Sequence, residues 1–338
     1  MKVRSRGILV IYVLGLLLMA LFLLDLRLGS LSIGLGEILG HIRGRSELSG
    51  QQLLILTKFR LPRIVTALLA GAALPACGLQ MQTLFRNPLA GPYVLGISSG
   101  ASFGAALVVL GAGATGIVAT WSLALAAWMG AGSVMLLLLF VSHRIKDVMT
   151  ILILGIMFSS GLAAIISIMQ YFSEASALKS FVIWSMGSLG NVTGAQLNIL
   201  AWAILPLLVL TLAYSKVLNG LMLGEEYALT MGVRIQRTRT IIFATTSIMA
   251  GTITAFCGPI GFIGIAVPHM TRFLLNQSDH RILMPASMLT GMVVMLLSDI
   301  ISRLPGTEQI LPINAVTSLI GIPVVIWLVV INRKAQAL

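Results

Sequence analysis

Ten apolar stretches of about membrane-spanning length divide this chain, at residues 7–24, 64–85, 93–112, 116–141, 148–171, 197–214, 240–256, 260–274, 283–302 and 313–331. A helix needs about 20 mostly apolar residues to cross the hydrocarbon core. In lipid, every backbone N–H and C=O must find a partner within the protein, which leaves helices or a closed barrel. Unbroken runs, as opposed to alternating ten-residue strands, select helices. The charge content settles the class. Only 9% of the 338 residues are charged and 58% are hydrophobic, whereas soluble domains carry roughly 25% charged residues. The expected fold is therefore an all-α integral membrane protein, one transmembrane domain over 1–338 with ten transmembrane helices. The eighth is short and contains Pro268.

The basic Met1–Gly7 followed by Ile8–Leu24 resembles a secretory signal. Its apolar run exceeds a usual signal core and no small-x-small cleavage site follows, so it is read as the first span. Ten spans place both termini on one side. With the N-terminus cytoplasmic, 14 basic residues fall inside and 8 outside, in keeping with the positive-inside rule. That rule also accounts for the net charge of +12 without nucleic acid. Six of the eight outer residues lie between Arg27 and Arg63. Cys77 and Cys257 have no His or Cys at ligand spacing, so neither a metal site nor a disulfide framework is expected.

Ala70-Gly71, Cys77-Gly78 and Pro88 recur as Ala250-Gly251, Cys257-Gly258 and Pro268, a constant offset of 180 residues. In the topology above, the two copies run in opposite directions. The expectation is an inverted five-helix pseudo-repeat, an arrangement found in transporters.

Four polar features interrupt the apolar pattern. Arg60-Leu61-Pro62-Arg63 opens span 2 on the outer side, with Arg303 at the outer end of span 9. These arginines read either as interfacial anchors or as a carboxylate-binding patch. Gln80-x-Gln82 leads into Arg86-Asn87-Pro88-Leu89-Ala90-Gly91-Pro92, where two prolines forbid a continuous helix. Gly96, Gly100 and Gly104 then recur every four residues, as close helix packing requires. Cys257-Gly258-Pro259-Ile260-Gly261-Phe262 breaks another span before Pro268-His269. Irregular backbone at membrane depth is tolerated only when buried in protein or lining a cavity. His269 reads as a cap on backbone carbonyls or as a group titrating near neutrality. Asp299 lies inside a span, four residues before Arg303, and pairs with it or serves function.

The longest polar interruption in the C-terminal half is Gly224–Arg239. Glu225 and Glu226 suit a helix N-terminus, and Gly232 suits a left-handed cap. The spacing predicts a helix of about two turns, roughly 10 Å long, outside the membrane.

In this order, RLPR, NPLA, LGISSGA, LGEEYALTMGV, GPIGFIGIAVPH, the Asp299/Arg303 pair and LIGIPVVIWL resemble the FecCD-type permeases. These are membrane subunits of ABC importers for ferric siderophores, haem and vitamin B12. The similarity runs from about Arg60 to Ile331, and to the first span by position. It implies a ten-helix subunit in a bacterial cytoplasmic membrane, pairing with a second permease subunit (read as an identical copy) into a twenty-helix dimer. Two cytoplasmic ATPase subunits would dock inside, and a substrate-binding protein outside. By the resemblance, Gly224, Glu225, Glu226, Ala228, Met231, Gly232 and Val233 form the coupling helix that sits in an ATPase cleft. Arg60, Arg63 and Arg303 meet acidic residues of the binding protein, and Asn87 and Leu89 lie at a cytoplasmic gate. A Thr-Ser gate pair of the vitamin B12 importer is replaced here by Val148-Met149. Gln82, Pro259, Gly261 and Phe262 are assigned to the same path. No G-x-x-x-x-G-K-[ST] loop is present, so ATP is expected on a partner subunit. No catalytic residue and no intrinsic cofactor are expected. An ion-coupled secondary transporter is the alternative, for which Asp299 is the one intramembrane acid in hand. A membrane enzyme lacks any nucleophile–base constellation.

Overall fold

The computed structural model describes residues 2–29, 33–44, 48–111, 117–145, 147–303 and 310–336. Arg45 and Lys146, two of the basic residues sorted above, lie outside the described residues. The helices are, in order, α1 (Lys2–Arg27), α2 (Leu35–Ile42), α3 (Gly50–Leu54), α4 (Leu61–Phe85), α5 (Ile97–Ala106), α6 (Ile117–Arg144), α7 (Val148–Phe172), α8 (Ala175–Ser185), α9 (Gly194–Ala213), α10 (Ser215–Met222), α11 (Glu225–Thr230), α12 (Ile235–Cys257), α13 (Ile263–Leu275), α14 (His280–Ser302) and α15 (Ile313–Gln336). Among the described residues, seven stretches are long and apolar enough to cross a membrane, and three shorter apolar helices occupy Ile97–Gly111, Ile263–Leu275 and Ile313–Trp327. Together they fall at the ten places read from the sequence. The short helices α2, α8, α10 and α11 lie between these stretches, and α3 opens the stretch Gly50–Phe85.

Helix α4 is the axis of the bundle. A π-helical turn, Ile55–Arg60, joins it to α3, and most of its 25 residues are buried. Its small residues allow backbone to meet backbone: Gly71 faces Gly291 of α14, and Gly78 faces Gly264 of α13. Close approach of this kind supplies the packing that the hydrophobic effect cannot supply between helices in lipid. By contrast, α1 and α7 keep broad apolar faces exposed, including Leu16, Met19, Ile153 and Met157. Gly100 and Gly104 of α5 lie against Gly130 and Ala126 of α6, as their spacing predicted, while Gly96 precedes the helix and faces α7. One polar cross-link sits in the core. Gln80 Nε2 donates to Thr211 of α9 at 3.0 Å, and its Oε1 accepts from Thr245 and Thr246 of α12. Both polar atoms of a buried amide thus find partners, and the side chain pins three helices.

The ends of the bundle can be told apart by their contacts. At one end, the C-termini of α1 and α14 meet the N-terminus of α4 through Arg60, Arg63 and Asp299. At the other, the C-terminus of α4 meets α10, α11 and the N-termini of α12 and α14. Helices α4 and α12 therefore run in opposite directions. Each is a long buried helix followed by an irregular turn and a short helix, which is the inverted repeat in its order of elements. The 180-residue register does not carry through: Cys77 lies inside α4, whereas Cys257 is the last residue of α12. Likewise Pro88 lies in a turn, whereas Pro268 lies inside α13.

Candidate functional site

The polar groups concentrate at the two ends. At the α11 end, the six-residue helix Glu225–Thr230 stands where the acidic pair and glycine predicted it. Gly232 adopts φ +81° and the chain turns back, Val233 N donating to Ala228 O at 3.0 Å. That left-handed position is what selects glycine. The helix has two unlike sides. Ala228 is fully buried, and Glu225 pairs at 2.5 Å with Arg239, a buried residue in the second turn of α12. Around the rest of the helix Tyr227, Leu229 and Met231 are 53–59% exposed, with Leu223 and Glu226 exposed as well. The helix thus carries large exposed apolar side chains on both sides of Glu226 and is anchored from behind by an ion pair. Arg239 is separated from Glu225 by 14 residues, and sequence reasoning missed it.

The Asn87–Pro92 turn lies at the same end. Arg86 closes α4 in a left-handed cap, and its guanidinium lies close to Gly224, where a Cβ would approach it to 3.2 Å. Asn87 Oδ1 accepts from Leu89 N at 2.9 Å, an Asx turn that fixes the loop. Leu89 is exposed. The loop is fastened to α13, with His269 Nε2 2.6 Å from Pro88 O. His269 is thus a partner of a backbone carbonyl, the first of its two readings. Gln82 works alongside: Arg272 Nη1 donates to its Oε1 at 2.7 Å, and its Nε2 donates to Ile265 O at 3.2 Å. Val148 and Met149 open α7, with Val148 half-buried and Met149 exposed. Their helix is capped by Asp147, which accepts from Thr150 Oγ1 at 2.5 Å and Thr150 N at 2.9 Å. The Thr150 hydroxyl and amide hold this exposed carboxyl below its ordinary range.

Pro259, Gly261 and Phe262 are packed among α8, α13 and α15. Gly261 N donates to Asn314 Oδ1 at 2.8 Å, and Ser188 N to Cys257 O at 2.7 Å. Phe262 takes φ +64° with its Cβ close against Gly321 of α15. The broken backbone is therefore satisfied by protein groups, as membrane depth requires.

At the opposite end the three arginines come together, Arg63 and Arg303 in an ion-pair cluster. Arg63 Nε donates to both oxygens of Asp299, at 2.8 and 3.1 Å, and its Nη2 donates to Ser302. Arg303 donates to Asp299 Oδ2 at 2.8 Å and also pairs with Asp25. Arg60 is buried and donates to Leu26 O at 2.6 Å, while Arg303 donates to Leu28 O. Both thus engage carbonyls at the C-terminus of α1, where cations are favoured. The Asp299–Arg303 pair expected from spacing exists, but Asp299 serves Arg63 as well. Asp25 was missed. Its signal was present as an acid within Leu-Leu-Asp-Leu-Arg at the end of the first span. Arg63 and Arg303 keep 13% side-chain exposure, so only their edges face outward.

A ten-span helical subunit with this order of motifs can be compared with known proteins. The FecCD transport family matches residues 17–331. The chain belongs to that family. It is a transport permease, and its multi-pass helical fold is that of an ABC permease. It is 38% identical over 321 residues to the vitamin B12 import system permease protein BtuC of Klebsiella pneumoniae subsp. pneumoniae, covering 95% of this chain and 93% of that one. The protein so named in Shigella boydii serotype 18 is 37% identical over 322 residues, covering 95% and 94%. Among solved structures, an inward-facing metal-chelate type ABC transporter matches with TM-score 0.83 at 29% identity, over 94% of this chain and 97% of that one. PsaBC from Streptococcus pneumoniae shares the fold, at TM-score 0.53 and 17% identity, over 85% and 93%.

Proposed function

We propose that this chain is the permease subunit of an ABC importer that passes a corrinoid, haem or ferric chelate into the cytoplasm. It lies in the bacterial cytoplasmic membrane with both termini cytoplasmic, and pairs with a second copy around a central path. Two ATPase subunits supply ATP, each gripping one α11, and a substrate-binding protein docks at the Arg60, Arg63 and Arg303 end. The chain performs no chemistry. Metal enters only as part of the cargo.

The observation that carries this reading is α11. Its exposed Tyr227 and Met231 on one side and Leu229 on another offer apolar anchor points beside the Asn87–Leu89 turn. ATP-driven movement of a partner holding those points would be delivered next to the gate, as in rigid-body switching of packed domains. The named relatives support a corrinoid or metal chelate as cargo. The secondary-transporter alternative needs a free intramembrane carboxylate, whereas Asp299 is engaged by Arg63 and Arg303.

The test is co-expression with the ATPase and binding protein, followed by ATP hydrolysis across cobalamin, haem and ferric siderophores. One cargo class is expected to stimulate hydrolysis. Replacing Tyr227 and Leu229 together by alanine should weaken ATPase association by about ten-fold or more, since buried aromatic anchors dominate interfaces. Undiminished association would move the docking surface away from α11.

A further inference from the structure

Helix α11 is tied to α12 by Glu225–Arg239, and a second route leaves the same segment through α10. Asn219 of α10 is its hub. Its Nδ2 donates to Asp279 Oδ1 at 2.7 Å, which turns Oδ1 toward α14. That oxygen accepts from the backbone N of His280 at 2.8 Å and faces the ring Nδ1 at 2.8 Å. Nδ1 therefore carries the proton, and Nε2 faces Thr83 Oγ1 at 2.7 Å; the one hydroxyl hydrogen of Thr83 serves either this nitrogen or Leu79 O, 2.8 Å away. His280 and Thr83 are both buried. Asp279 also caps α14, accepting from Arg281 N at 2.9 Å. That amide and the Asn219 side chain hold its carboxyl below the ordinary range. Thr83 lies in the last turn of α4, three residues before the Arg86 cap that begins the Asn87–Leu89 turn.

We propose that Asn219 and His280 are positioning residues that pass displacement of α10 and α11 to the gate-bearing end of α4. The inference rests on the importer reading above. A continuous run of four groups, Asp279–Asn219–His280–Thr83, joins three helices with no apolar contact in series. Hydrogen bonds are directional and so fix the register between the groups they join. Each end of the run belongs to a rigid helix, so the link moves α4 and α14 with α10 as one body.

Permease, ATPase and binding protein are reconstituted in proteoliposomes, and cargo taken up per ATP hydrolysed is measured. The probe is cyanocobalamin or a ferric hydroxamate, whichever stimulates hydrolysis. Thr83→Val keeps shape and removes the hydroxyl, and Asn219→Leu removes the hub. Each is expected to lower the uptake-to-hydrolysis ratio by about five- to ten-fold while hydrolysis itself changes less than about two-fold, in the range of coupling mutations remote from a ligand. Thr83→Ser restores the hydroxyl and should restore the ratio. The ratio is independent of how much complex assembles, so reduced yield does not obscure it. A wild-type ratio in both Thr83→Val and Asn219→Leu would overturn the link alone. A parallel fall of uptake and hydrolysis would also overturn it, marking the run as a structural support. Absence of ATP-dependent uptake by the wild-type complex would overturn the importer reading, and this inference with it.

Discussion

Asp299→Ala is expected to destabilise the permease by about 3–5 kcal/mol, the usual cost of removing one partner from a buried ion pair. Asp299 is fully buried between Arg63 and Arg303. Without it Arg63 keeps, among the described residues, its bond to Ser302, while Arg303 keeps Asp25. A guanidinium left largely buried without a counter-charge is the expensive outcome, more than the loss of the attraction itself. Two further variants separate these terms. Asp299→Asn keeps an acceptor for Arg63 Nε and should lose less. The double variant Asp299→Ala with Arg63→Met removes the orphaned charge and should recover much of the stability, since apolar replacement of a whole buried pair is often neutral. Thermal unfolding in detergent reads all three. An unchanged Tm in Asp299→Ala would show that the cluster is solvated and that its arginines are free for other partners.

The second large effect is steric. A Cβ on Gly78 would lie 1.6 Å from the carbonyl oxygen of Gly264, with backbone on both sides and no side chain to swing away. Gly78→Ala therefore requires α13 to retreat from α4 by roughly 1.5–2 Å before the methyl reaches ordinary contact distance. Overpacking of this kind costs about 1–3 kcal/mol and sometimes more, and Gly78→Val is expected to yield no folded permease. The displacement also has a functional edge. Gln82, His269 and Arg272 fasten the Asn87–Leu89 turn across this same helix pair, so surviving Gly78→Ala protein should leak cargo or uncouple. Gly132→Ala on α6 is the control: no neighbouring atom lies within 4 Å of its Cβ, and its effect should stay within about 1 kcal/mol. Equal behaviour of the two alanine variants would contradict the packing account.

The spans were legible because apolar length is a local property. So were the breaks at Pro88, Pro92, Pro259 and Gly261, since proline and glycine act on their own backbone. The α11 helix was legible for the same reason, with Glu225 and Glu226 at its start and Gly232 at its end. What could not be read was partnership. Arg239 finds Glu225, Arg63 finds Asp299 across 236 residues, and Thr83 finds His280 across 197. Those distances follow from how helices pack, which spacing along one helix does not encode. Asp25 illustrates the point: its acid was visible in the sequence, but its partner Arg303 is contributed by the far end of α14. The 180-residue offset failed for a related reason. The two halves repeat an order of elements, and helices in such halves differ in length, so aligned cysteines need not be equivalent.

The central claim, that this permease is driven by an attached ATPase and not by an ion gradient, is tested most directly by cargo uptake into sealed proteoliposomes. Vesicles holding the permease with its ATPase should accumulate cargo from the binding protein only when ATP is supplied on the α11 side, and proton or sodium gradients should add nothing. Gradient-driven accumulation by the permease alone, without ATPase or ATP, would contradict the account.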